Sequence, residues 1–303
     1  MREELPAALV RNVLENWGGD GARWLDDLPE LIDKTARDWR LTVGDPYPMS
    51  IHWVARVTTE DGSPAVLKLG LPDGHLDSEV EALRIFDGAG AVRLLARESG
   101  ALLIERAVPG DRVASLVPAD DERATGLLVE VGTRLHRVPP AGCTLPHLSD
   151  EGADFRAYLR RFPVGGPMPR RLVEKAAELF EALCDSAEDR VLHGDLHHDN
   201  VLRAGDEWKA IDPFGRVGDP GFDCGPMLYN PDPPRRDPEL LRLVPARIEQ
   251  LADGYGMPVE RVRAWGFVMG VLSEVWNADG GTVGTRALDV ALMIDGSGSP
   301  RLV

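Results

Sequence analysis

The segment VLHGDLHHDN at residues 191–200, followed by KAIDPFG at 209–215, decides the reading of this chain. It sets Asp195, Asn200 and Asp212 at intervals of five and twelve residues. Apolar runs flank both pieces, at Arg190 to Leu192, Val201 to Leu202 and Trp208 to Ile211. Two short strands around a polar loop would bring the three oxygen-bearing side chains together.

The first interval fits the H-x-D-x-x-x-x-N loop of kinases. There an aspartate handles the proton of the acceptor hydroxyl, and an asparagine with a later aspartate holds magnesium on the nucleotide phosphates. Three matched positions are a weak signal alone, and two other readings compete. One makes His193 and Asp195 ordinary turn residues, with Asn200 closing the loop. The other makes His193, His197 and His198 zinc ligands. Gly194 and the run of Asp and Asn oppose the helix that histidines four apart would need. The apolar strand before Asp212 and a lysine far upstream favour phosphoryl transfer.

Composition narrows the partners. With 34 Lys and Arg against 50 Asp and Glu, the net charge is −16 over 303 residues. Such a chain repels nucleic acid and anionic membranes and suits a cationic small molecule. Acidic surface also aids solubility, so only carboxylates near the loop count as functional. Cys143, Cys184 and Cys224 are odd in number and lack CxxC spacing, which reads as free thiols in a reducing compartment. The start, MREELPAALVRNVLENW, reads as an amphipathic helix and not a signal peptide, and no stretch is apolar enough to span a bilayer. A cytoplasmic protein with no protein partner is the expectation.

Residues 3–17 and 22–40 carry helical periodicity. Period two takes over at Ile51 to Thr59, a turn follows at Glu60-Asp61-Gly62-Ser63, and Pro64 to Leu69 is the partner strand. A helix near Leu76 to Phe86 and strands at Ala91 to Arg97 and Ala101 to Arg106 complete a small lobe on an antiparallel sheet. Beyond Pro109-Gly110 the chain turns mostly helical, near Asp121 to His136, Ala153 to Phe162, Arg170 to Ser186, Pro238 to Tyr255, Val259 to Asn277 and Val283 to Ile294. The expected class is α+β, with a lobe over 1–106 and another over 107–303.

Phosphoryl transfer asks a protein to position phosphates, neutralise their charge and orient the acceptor. Lys68 sits on the second hairpin strand, where kinases carry the lysine that contacts the α- and β-phosphates. Alternation puts Val66, Lys68 and Gly70 on one face and Ala65, Leu67 and Leu69 on the other. Glu79 is the candidate partner of Lys68. Glu81 is its rival, but Glu79 borders the apolar stripe of Leu76, Val80, Leu83 and Phe86. Asp195 would take or orient the acceptor proton, and Asn200 and Asp212 would hold magnesium. His193 would brace the loop, and Asp219 and Asp223 would organise a turn and cap the next helix. LLIERAVPG at 102–110 reads as the link between lobes, with backbone groups of Glu105 to Ala107 meeting the adenine of ATP. Ser50, in the turn before Ile51, is a candidate phosphate contact.

Taken together, AVLKLG at 65–70, EVEALRIFDGAGAVRLL at 79–95, LLIERAVPG at 102–110, RVLHGDLHHDNVL at 190–202 and AIDPFGRVGDPGFD at 210–223 resemble the aminoglycoside phosphotransferase family of the protein-kinase-like fold. The resemblance is nearest to the branch of streptomycin 6-kinases and hydroxyurea phosphotransferases. It implies a bilobal enzyme that uses ATP and magnesium to phosphorylate a hydroxyl of a small, cationic, streptomycin-like molecule and so confers resistance. It also implies Asp195 as catalytic, Asn200 and Asp212 as metal ligands, and Lys68 with Glu79 as the phosphate anchor. No G-x-G-x-x-G precedes Lys68, IDPFG replaces DFG, and no A-P-E follows, which turns the expectation away from protein substrates. Glu274, Trp276 and Asp279 are the candidates for holding a guanidinium or ammonium group. A metabolite or hydroxyurea-like acceptor, and an idle nucleotide-binding sensor, stand as the alternatives.

Overall fold

The computed structural model describes residues 5–48, 51–72, 74, 76–164, 166–231, 237–279 and 285–296. Its first element, α1 (Ala7–Asp38), breaks at Gly18, where φ is 51° and ψ −119°. The two helical stretches read from the sequence are therefore continuous apart from one glycine-permitted kink.

Five antiparallel strands follow in spatial order β1-β2-β3-β5-β4. They are β1 (Thr42–Pro46), β2 (Trp53–Thr58), β3 (Pro64–Leu69), β4 (Leu94–Glu98) and β5 (Ala101–Glu105). Period two gives the sheet two distinct faces. Trp53, Ala55, Val57, Ala65, Leu67, Leu69, Ala101 and Leu103 pack against Leu9, Val13, Trp24, Leu25 and Leu28 of α1. The other face turns Val54, Val66, Lys68 and Ile104 toward a cleft. Helix α2 (Asp77–Phe86) joins this side by burying Val80, Leu83 and Phe86 with Leu102 and Ile104. Strand β1 was not legible in the sequence, since it is mostly exposed and carries no apolar alternation.

Beyond the sheet, β6 (Pro109–Arg112) precedes α3 (Asp121–Leu135), α4 (Gly152–Arg161) and α5 (Arg170–Asp185). Four short strands then frame the decisive segment: β7 (Arg190–Leu192), β8 (Val201–Ala204), β9 (Glu207–Ala210) and β10 (Arg216–Gly218). β8 pairs with β6 and β9, while β7 pairs with β10. The helices α6 (Cys224–Tyr229), α7 (Pro238–Leu241), α8 (Val244–Tyr255), α9 (Val259–Asp279) and α10 (Arg286–Asp295) complete the chain. The single helix expected over 238–255 is two, because Pro245 can occupy the first turn of α8 but not a helix interior.

One core cluster joins α2, α3 and α8, and another joins α4, α5, α9 and α10. No helix among the described residues is long and apolar enough to cross a membrane.

Candidate active site

Lys68 lies in register between Val54 of β2 and Leu102 of β5, so the sheet fixes its direction. Its Nζ donates to Glu79 Oε2 at 2.6 Å and to Asp212 Oδ1 at 3.2 Å. Burial alone would push the Lys68 ammonium down, but the two carboxylates hold it above the ordinary lysine range. Burial pushes Glu79 up, with Lys68 opposing. Asp212 behaves the other way: Lys68 outweighs burial and keeps its carboxyl below the ordinary range. Asp212 also has φ of 56°, a left-handed conformation that is uncommon outside glycine but that aspartate tolerates better than most residues. That turn brings the carboxylate from the end of β9 to Lys68.

Asp195 and Asn200 sit in the loop from β7 to β8. The Asp223 carboxylate anchors its backbone. Asp223 accepts the N–H groups of His193 at 3.0 Å and Gly194 at 2.8 Å, and His136 Nε2 donates to the same carboxylate at 2.9 Å. Burial raises Asp223, but His136, His193 and the Gly194 N–H together hold it below the ordinary range. His193 accepts from Asp195 N through Nδ1 at 3.2 Å and donates from Nε2 to Ile211 O at 2.9 Å, which ties the two halves of the motif together. Asn200 Nδ2 donates to Asp195 O at 3.0 Å, and Asn200 O accepts from Ile211 N at 2.9 Å. Gly194 has φ of 87°, and a Cβ there would meet Phe214 Cβ at 3.0 Å.

Two cavities meet at Lys68 and Asp212. One, about 330 Å³, has Val54, Val66 and Ile104 on the sheet side, Leu202 and Ile211 opposite, and Glu105 to Gly110 along an edge. The aliphatic residues on its two sides suit a planar base, and Arg56, Lys68, Arg106, Arg112 and Asp212 also line it. The Glu105 carboxylate is engaged by Lys209 Nζ and Arg93 N, and Glu105 and Ala107 both line this edge. The second, about 600 Å³, is lined by Lys68, Glu79, Asp195, His197, Asn200, Asp212, Phe214 and Arg216. It gathers every ionic group that the motif singled out.

Other expectations fare differently. The zinc reading fails, because His193 is committed to Ile211 and no metal-binding group of three His, Cys, Asp or Glu forms among the described residues. Asp219 does cap a turn, accepting from Gly221 N and from the Trp265 indole, but Asp223 braces the loop and does not cap α6 by its side chain. Ser50 and the side chain of Asp279 lie outside the described residues. Glu274 is fully buried, and its Oε1 accepts the N–H of Thr285 at 2.7 Å and also its hydroxyl, which sets the first turn of α10. A ligand would have to displace those bonds. Trp276 is 38% exposed and donates to Asp154 Oδ2 at 2.7 Å. It lines a third cavity, about 230 Å³, with Glu151, Gly194, Phe214, Arg216 and Phe222.

Sequence reasoning missed Glu151, His197, Lys209, Phe214 and Asp223 as parts of the site. His197, Lys209 and Phe214 had a local signal, their places inside the two motif segments, and Asp223 reads from the sequence only as a turn or cap residue. Glu151 and Lys209 reach the site through contacts with residues distant in sequence.

The chain matches the family described as aminoglycoside/hydroxyurea antibiotic resistance kinase over residues 45–281. Streptomycin 6-kinase of Streptomyces glaucescens is 33% identical over 301 residues, covering 95% of this chain and 94% of the relative. Hydroxyurea phosphotransferase of Kitasatospora aureofaciens is 33% identical over 296 residues, covering 95% and 84%. The crystal structure of choline kinase LicA from Streptococcus pneumoniae superposes with a TM-score of 0.61 at 12% identity, covering 89% of this chain and 98% of that one. At that identity the likeness speaks to the fold, which is protein-kinase-like.

Proposed function

The chain belongs to the aminoglycoside/hydroxyurea antibiotic resistance kinase family, and from that premise we propose that it transfers the γ-phosphate of ATP to a hydroxyl of a small, cationic, streptomycin-like acceptor. One observation carries the reading. Lys68, Glu79, Asp195, Asn200 and Asp212 line a single cavity beside a second one whose aliphatic sides, Val54, Val66 and Ile104 against Leu202 and Ile211, suit a base.

In this reading Lys68, oriented by Glu79, neutralises phosphate oxygens. Asp195 orients the acceptor hydroxyl and takes its proton as the oxygen–phosphorus bond forms. A loose transition state demands little base strength, so the orientation of Asp195 matters more than its proton affinity. The loop's anchorage on Asp223 supplies that orientation.

The residues present fit magnesium. Asn200 commits its amide nitrogen to Asp195 O, which turns Oδ1 away from that bond, and Asp212 is kept ionised by Lys68. Hard oxygen donors of this kind suit the ion. Bound there, it would supply positive charge to the phosphate oxygens. Support for a cationic acceptor comes from the rings of Phe214 and Trp276 at the third cavity, beside Gly194, since aromatic faces attract ammonium and guanidinium groups. Glu151 there is already paired with Arg216 at 2.7 Å.

The test is a coupled ADP-release assay with magnesium-ATP and streptomycin, other aminoglycosides or hydroxyurea, with Asp195→Ala as control. Hydroxyurea belongs in the panel because its phosphotransferase is as similar to this chain as the streptomycin 6-kinase. Asp195-dependent turnover with a phosphate mass increment on streptomycin is the expected result. Nucleotide binding without turnover on any of these acceptors would overturn the acceptor assignment.

A further inference from the structure

Two histidines four residues apart in the loop share one local geometry and differ in what they face. His193 takes the N–H of Asp195 on Nδ1, and His197 takes the N–H of Asp199 on Nδ1, each at 3.2 Å. With Nδ1 acting as an acceptor, the ring proton of each sits on Nε2. His193 is buried, and its Nε2–H ends on the Ile211 carbonyl. His197 instead lines the cavity of Lys68, Asp195, Asn200 and Asp212, and its Nε2 stands 3.5 Å from Asp195 Oδ2. That separation is too long to saturate the donor. The loop therefore presents a fixed N–H to the space beside the Asp195 carboxylate.

We propose that His197 is a catalytic residue of the phosphoryl transfer, donating its Nε2–H to an oxygen of the phosphoryl group as it passes to the acceptor. The inference rests on the function proposed above. The acceptor oxygen bonds to the γ-phosphorus while the bond to the β–γ bridging oxygen breaks, and ADP leaves with that electron pair. The acceptor proton goes to Asp195. His197 forms and breaks no covalent bond; its donor stabilises charge on the transferring oxygens, where a fixed dipole acts without reorganisation.

The competing explanation is that His197 merely braces the turn through Nδ1. Substitutions separate the two roles. Asparagine can accept the N–H two residues on but is too short to reach the Asp195 carboxylate. Glutamine carries a donor at about the reach of Nε2. With magnesium-ATP and streptomycin, or with water as the acceptor if streptomycin is inert, His197→Asn should keep the melting temperature and the ATP KM yet lose about 10²-fold in kcat. His197→Gln should recover about tenfold of that loss. Independently of turnover, long-range ¹H–¹⁵N spectra of the protein should show His197 as the Nε2–H tautomer, with that signal shifting when magnesium-AMP-PNP is added.

Wild-type kcat in His197→Asn, or an Nδ1–H tautomer, would overturn the assignment. Asp195→Ala, run in parallel, keeps the two readings apart. If Asp195→Ala is inactive while His197→Asn is normal, only His197 is misassigned. If Asp195→Ala is fully active, the transfer reading itself fails.

Discussion

Lys209 Nζ sits 2.7 Å and 2.9 Å from the two carboxylate oxygens of Glu105, joining residues 104 apart in the chain. Lys209 belongs to β9 and Glu105 ends β5, so the pair fastens the last strand of the five-stranded sheet to the hairpin that delivers Asp212. Backbone bonds from Val92 N to Ala210 O and from Ala210 N to Gly90 O reinforce the same seam. The strand end that borders the base slot is thus held from outside the slot. Lys209→Met should leave a partly buried carboxylate without its counter-charge and let that strand end shift. The expected outcome is an ATP KM raised about tenfold, a free-energy change of about 1.4 kcal/mol, with the acceptor KM unchanged. Lys209→Arg should fall between. Steady-state kinetics with each substrate varied decide the matter, and an unchanged ATP KM in Lys209→Met would reduce the pair to a stabilising contact.

Asp223 deserves the same test for the catalytic loop. Its carboxylate receives two loop N–H groups and the His136 ring in a fully buried position. Asp223→Ala would orphan all three donors, each at a cost of about 1–3 kcal/mol. We expect a loss of at least 3 kcal/mol by urea unfolding and a collapse in kcat larger than the unfolded fraction explains. Asp223→Asn, which keeps an acceptor oxygen, should retain more of both. Normal turnover in folded Asp223→Ala would show that the loop holds its shape without this anchor.

These two contacts show where reading by sequence stops. Spacing within one loop is local, so Asp195 and Asn200 could be picked out before any coordinates, and alternation along β3 oriented Lys68 just as well. The choice of Glu79 over Glu81 followed from a helix face; Glu79 does meet Lys68, and Glu81 pairs with Arg84 instead. His136 with Asp223 and Glu105 with Lys209 bridge 87 and 104 residues, and no periodicity encodes such partners. Glu274, a candidate ligand contact from its place on a Trp-bearing helix, also accepts the Thr285 N–H at the start of α10, a partner that no local spacing announces.

Acid stability should report the buried histidines. His193 and His198 are fully buried, and burial holds both rings below the ordinary histidine range, His198 further because Arg247, His197 and Arg286 surround it. Neither ring nitrogen of His198 has a hydrogen-bond partner among the described residues. The unfolded chain takes these protons near pH 6.5 while the folded state refuses them. Their contribution is therefore fully present above about pH 6.5 and is lost as pH falls below it, at up to about 1.4 kcal/mol per pH unit for each group. Urea titrations between pH 7.5 and pH 5 should show this slope, and His198→Leu should remove about one proton's share. An identical slope in that variant would mean that His198 is protonated in the fold after all.

The acceptor side can be probed through Trp276. Its indole N–H donates to Asp154 across α9 and α4, while Trp276 lines the cavity beside Gly194 together with Phe214, which is itself 52% exposed. Phenylalanine would keep an aromatic wall and lose only the tether; alanine would lose both. A cation resting on the ring gains about 0.5–2 kcal/mol, so Trp276→Ala should raise the streptomycin KM by roughly 3–30-fold with the ATP KM untouched. Trp276→Phe should stay within about threefold of the parent, since Trp and Phe faces differ modestly toward cations. Varying streptomycin at saturating ATP, then ATP at saturating streptomycin, measures both. If Trp276→Ala moves the ATP KM and leaves streptomycin alone, the cavity beside Gly194 does not receive the acceptor, and the cation must be held elsewhere on the rim of the Asp195 site.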